Sequence, residues 1–130
     1  MNKLFLLSLT ILVGCSSYNS DETVISSEYT GLFSRAATDM VFLPSNVTLT
    51  LSDGRFEGVS SEDNYPAICA GTYEISDSKI FFTNSCAFTA DFDWSYILNG
   101  EFDYEIDGDV IRISKDYGDD VIDQYILQRN

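Results

Sequence analysis

The chain predicts an all-β fold: an antiparallel meander of about eight to nine strands closing into a small barrel, with a two-layer β-sandwich as the runner-up. Three observations predict it. From Glu28 onward the chain is a series of short β-prone runs separated by turn residues, with no sustained helical periodicity. Two-residue turn signals recur at Asp53-Gly54, Asp77-Ser78, Asn99-Gly100 and Asp107-Gly108, and such turns make consecutive strands antiparallel neighbours. Aromatic residues form 14% of the chain, which argues against the disorder that high net charge would otherwise suggest. A long meander with one apolar face buries that face best by closing on itself.

Lys3 and the apolar run from Leu4 to Val13 open the chain; the run is shorter than the ~20 apolar residues that cross a bilayer and suits a signal peptide. Gly14 precedes a cysteine, and Leu12 stands three positions ahead of it. Leu12-Val13-Gly14-Cys15 thereby resembles the lipobox of bacterial lipoproteins. The resemblance implies cleavage after Gly14, a diacylglyceryl thioether on Cys15 and attachment to the membrane through that lipid. Residues 1–14 are then a signal peptide, 15–27 a lipidated, Ser-rich flexible tether, and 28–130 one β-barrel domain. Ser16 does not resemble an inner-membrane retention signal, which implies the cell envelope, and the outer membrane in a Gram-negative source.

Within the domain, Glu28 to Ser34 reads as a first strand and Asp39 to Leu43 as a short second piece ended by Pro44. Asn46 to Ser52 alternates strictly, with Val47, Leu49 and Leu51 on one face and Thr48, Thr50 and Ser52 on the other. Asp53-Gly54 suits a type I′ turn into Arg55 to Ser60. Opposing residues in a two-residue hairpin keep a constant index sum, so Leu51 should face Phe56. Ser60 to Ala67 is a polar loop containing Pro66.

Taking Asp77-Ser78 as the next turn sets Ser76 opposite Lys79, Ile75 opposite Ile80, Tyr73 opposite Phe82 and, further out, Cys69 opposite Cys86. With Cys15 consumed by lipid, Cys69 and Cys86 remain as one pair in an oxidising compartment. They should form a disulfide across a non-hydrogen-bonded pair, with Cα atoms ~4.5 Å apart.

Ala87 to Asp93 reads as a bend, and Trp94 to Leu98 as a strand turning at Asn99-Gly100. That register sets Ile97 against Phe102 and Ser95 against Tyr104, with Trp94, Tyr96 and Leu98 on the other face. Glu101 to Ile106 alternates acidic with apolar residues. A turn at Asp107-Gly108 would pair Tyr104 with Ile111, Phe102 with Ile113 and Asp103 with Arg112. An acidic loop, Asp116 to Asp120, leads to a last strand from Ile122 to Gln128.

The opening YTGLF, the GTYEI hairpin, and the run ILNGEFDYEIDGDVIRISK ending in YILQR resemble small lipocalin-like barrels of bacterial lipoproteins. The resemblance spans residues 28–130 and implies the closed barrel and, in that superfamily, ligand binding. Gly31 is followed by Leu32 and Phe33, so the Gly-x-Trp signature of typical lipocalins is absent.

Lys3 leaves with the signal, so six of the seven basic residues remain against 21 acidic ones, a formal charge of −15. Such a field repels nucleic acid and favours cationic partners. The chain has no histidine, which removes the commonest general base and zinc ligand, and no serine has an evident base. No carboxylate stands apart as a catalytic acid, so the reading is a non-enzyme without cofactor. Asp103, Glu105, Asp107, Gly108 and Asp109 imitate the start of an EF-hand loop, but Ser114 stands where the bidentate Glu belongs. Asp116, Asp119, Asp120 and Asp123 read as a solvated charge run, and no metal is expected.

Trp94 and Tyr96, read as exposed aromatics beside Glu101, Asp103 and Glu105, form the candidate partner-binding patch. The expected function is a membrane-anchored, non-catalytic binding module of the bacterial envelope, holding a small apolar ligand or a cationic protein. The alternative is a lipid-anchored inhibitor of a cationic secreted hydrolase such as lysozyme. The interior discriminates: a hollow barrel favours a ligand carrier, and a filled one the inhibitor.

Overall fold

The computed structural model describes residues 25–89 and 91–130. The expected signal peptide, the lipobox and Cys15 lie outside the described residues. Eight strands are formed: β1 (Ser27–Ala36), β2 (Ser45–Ser52), β3 (Arg55–Ser60), β4 (Cys69–Ser76), β5 (Lys79–Asn84), β6 (Gly100–Asp107), β7 (Val110–Asp116) and β8 (Ile122–Arg129). They close in sequence order into one antiparallel barrel, β1 pairing with both β2 and β8, so the sandwich does not form. Gly31 permits the close approach at the β1–β8 seam, since a Cβ there would lie 2.1 Å from the carbonyl oxygen of Ile126. The barrel begins earlier than residue 28: Ile25 is fully buried, and the Tyr29 hydroxyl donates to its carbonyl at 2.7 Å.

Two of the predicted hairpins have the expected register. Asp53 and Gly54 take φ of 50° and 73°, as a type I′ turn requires, and Leu51 faces Phe56. Across Asp77-Ser78, Ser76 faces Lys79, Ile75 faces Ile80 and Tyr73 faces Phe82. The pairing of β4 with β5 stops at Gly71 and Asn84. Cys69 and Cys86 are bonded just past it, with Cα atoms 6.4 Å apart rather than at the separation of a ladder pair. The cause is the positive φ of Cys69, 58°, which turns that residue out of the β5 ladder.

Three expectations are corrected. Trp94 to Leu98 is not a strand: Trp94–Tyr96 is a 3-10 turn, and Gly100 already belongs to β6, opposite Phe82. A hairpin at Asn99-Gly100 would have needed the edge of β6 that β5 occupies. Instead, the carboxylate of Asp93 caps the turn by accepting from the Ser95 N–H at 2.9 Å. The β6–β7 turn is Gly108-Asp109, so Tyr104 faces Ile113, Ile106 faces Ile111 and Glu105 faces Arg112. This register differs by two residues from the expected one, an even slip that keeps every side chain on its face. Asp39 to Leu43 carries only an isolated bridge, Ala37 to Met40.

The three two-residue turns and the start of β1 lie at one end of the barrel, here the closed end. The four longer connections (37–44, 61–68, 85–99 and 117–121) gather at the other, open end. Between them the interior is packed with rings. Tyr65 at the mouth meets Phe33 at 5.1 Å, Phe33 meets Tyr125 at 4.8 Å, and Tyr125 meets Phe102 at 6.4 Å. Phe102 meets Phe82 at 5.6 Å, and Phe82 meets Tyr73 at 6.5 Å. The Tyr73 hydroxyl lies 3.5 Å from the Ser26 hydroxyl at the closed end, so contacting side chains run the length of the barrel. Each such buried aromatic contributes roughly 1.5–3 kcal/mol by leaving water.

Candidate functional site

The open end is organised by a charged pair that side-chain parity brings inward. Arg35 near the end of β1 and Asp123 near the start of β8 are register partners, both buried. The guanidinium grips the carboxylate with two bonds, Nε to Oδ1 at 2.6 Å and Nη2 to Oδ2 at 2.8 Å. The Arg35 carbon Cζ also sits 3.9 Å above the Tyr96 ring and 5.3 Å from that of Tyr117. The bond to Asp123 holds Arg35 above its ordinary pKa. Asp93 approaches from outside, its Oδ2 3.5 Å from Arg35 Nη1; bonds from the Ser95 hydroxyl and N–H keep its carboxyl below the usual carboxylate range. Sequence reasoning missed Arg35 and placed Asp123 in a solvated charge run, whereas Asp123 is buried against Arg35. Their signal was parity: Arg35 follows Tyr29 and Phe33 inward on β1, and Asp123 precedes Tyr125 and Leu127 on β8.

The expected patch is only partly assembled. Trp94 is 55% exposed, its Nε1 donating to the Thr89 carbonyl at 3.3 Å. Tyr96, by contrast, lies under Arg35, with Tyr65 5.0 Å and Phe33 6.3 Å away, and so is not a surface anchor. Glu101, Asp103 and Glu105 do face outward from β6, but each has a cation. Lys79 bridges Glu101 and Asp103, and Arg112 lies 3.6 Å from Glu105. The wall is a ladder of surface ion pairs, not a bare acidic rim. The basic residue beside Trp94 is Lys115, which lines the same depression as Trp94, Phe88 and Tyr117.

A second feature was hidden by the expectation of a strand at Asp39 to Leu43. In the 37–44 loop, Met40, Val41 and Leu43 are 61%, 94% and 80% exposed. The loop is fastened to its acidic neighbour by the Thr38 hydroxyl, which donates to Asp120 Oδ2 at 3.0 Å. Asp39, Asp119 and Asp120 all take positive φ in these two loops. Asp123 has left that acidic group for Arg35, and among the described residues no group of three or more potential ligands converges to hold a metal. The disulfide ties the bases of the 61–68 and 85–99 loops together at this same end.

Comparison with protein-family models, curated proteins and solved structures finds no match for this chain.

Proposed function

We propose that this protein is a lipid-anchored, non-catalytic binding module of the bacterial envelope that engages a basic macromolecule at the open end of its barrel. The observation that carries the reading is the cluster of Met40, Val41 and Leu43, exposed at a loop tip that is fastened to the acidic 117–121 loop. Large apolar side chains left in water at one spot mark an interaction surface, and surrounding carboxylates favour a basic partner. The ring-filled interior argues against the other form of the reading, in which a small apolar ligand occupies the barrel. β1 starts at the closed end, so the segment toward Cys15 joins the domain at the end opposite the exposed apolar loop, which suits this reading.

Inhibition of a cationic hydrolase is the second reading, favoured by the same protruding apolar loop on a filled barrel. Both are tested by placing a photo-crosslinking residue at Val41 in cells, with the Asp77 turn at the closed end as control. The expected result is a discrete adduct with a basic protein from position 41 alone. Adducts from Asp77 only, or from neither, would sink the proposal.

A further inference from the structure

Lys115 continues the inward parity of Ile111 and Ile113 on β7, and its register partner on β8 is Asp123. Both Asp123 oxygens are already taken by Arg35. Among the described residues, no carboxylate lies within 4.0 Å of the Lys115 ammonium. Its Nζ is held by the Asn99 carbonyl at 3.5 Å and by the Phe102 and Tyr117 rings, each 5.1 Å away. Gly100 leaves room for it: a Cβ there would stand 3.2 Å from Nζ. An ammonium has three donors, and this one spends a single long bond on the protein.

Lys115 also lines a depression of about 400 Å³ at the mouth, within the range of small-ligand sites. Trp94, Phe88 and Tyr117 supply flat apolar walls, and Asn84, Ser95 and Asn99 supply polar groups. The bond from Trp94 Nε1 to Thr89 fixes the indole while more than half of the side chain stays in water.

We propose that this depression binds a saccharide bearing a carboxylate. A pyranose presents a C–H face that lies flat on an indole, and a rim of hydroxyls that needs polar neighbours. An enclosed apolar pocket would suit neither, whereas this open, mixed one suits both. The carboxylate supplies the partner that Lys115 lacks, in a charge-assisted bond. The acidic surface does not forbid it, because exposed charges are screened beyond about 8 Å and the nearby Asp93 and Asp123 are held by Arg35. This surface is separate from the 37–44 loop, so the proposal stands independently of a basic macromolecular partner.

Trp94 is the single tryptophan of the chain, so its emission reports the site directly. The full exported protein is titrated with N-acetylmuramic acid and glucuronic acid, and with N-acetylglucosamine and acetate as controls lacking either the charge or the ring. A saturable change is expected with at least one acidic sugar, about tenfold weaker with either control. Lys115→Gln should weaken the acidic sugar about tenfold, and Lys115→Arg should retain it. Circular dichroism shows whether each variant is folded. Flat titrations with both acidic sugars, or equal binding by a folded Lys115→Gln protein, overturn the proposal.

Discussion

Arg35 and Asp123, 88 residues apart in the chain, face each other across the seam where the first strand meets the last, and two hydrogen bonds close the barrel there. The pair is buried, with side chains 7% and 3% exposed, so removing one partner strands a charge away from water. Asp123→Ala should lower stability by about 3–5 kcal/mol in denaturant unfolding. Replacing both, as Arg35→Met with Asp123→Leu, should recover most of that loss, because no buried charge is left. Equal losses in the single and double variants would contradict this account.

The Cys69–Cys86 disulfide spans 17 residues of sequence and joins the first residue of β4 to the loop after β5, just beyond the last β4–β5 register pair. Changing both cysteines to alanine should lower stability by about 3 kcal/mol. Peptide mapping of exported protein should find the two linked, and finding free thiols would refute the assignment.

Stability should fall as the pH rises past 10. Burial lifts the Tyr125 phenol well above its ordinary value of 10.0, and burial also raises Tyr65. An unfolded chain releases these protons from about pH 10 while the native protein retains them. The contribution is therefore complete below pH 10 and lost above it, by up to about 1.4 kcal/mol per pH unit for each phenol. Burial raises the Tyr117 phenol too, so absorbance at alkaline pH should show three phenols titrating late, coincident with unfolding.

Cys15→Ala should abolish detergent-phase partitioning and lipid labelling while leaving the barrel folded, since the described domain begins at Ile25. Unchanged membrane association in that variant would remove the anchor from the account.

Much of the fold was legible in the sequence because strand parity and turn residues are local signals. Leu51 with Phe56 and Tyr73 with Phe82 followed from counting across a turn. The β6–β7 register was misread by two because Asp107-Gly108 and Gly108-Asp109 are both plausible turns, and an even slip preserves the alternation that would have exposed the error. Asn99-Gly100 misled for another reason: which strand takes the edge of β6 is decided by closure with β5, a contact no local pattern encodes. The mouth was less legible still. Arg35 meets Asp123, and Lys115 is denied it, only because β1, β7 and β8 become neighbours when the barrel closes. Sequence placed Trp94 correctly among exposed aromatics, but its neighbour proved to be Lys115 and not the acids of β6.

The central claim is that the protein works from its open end and that its interior is core. Titrating the exported protein with palmitate, while following the methyl signals of Leu49, Ile80, Ile111 and Ile113, tests it most directly, since all four are fully buried inside the barrel. The account predicts that these signals do not move. A saturable one-to-one shift of them would show a ligand inside the barrel and contradict it.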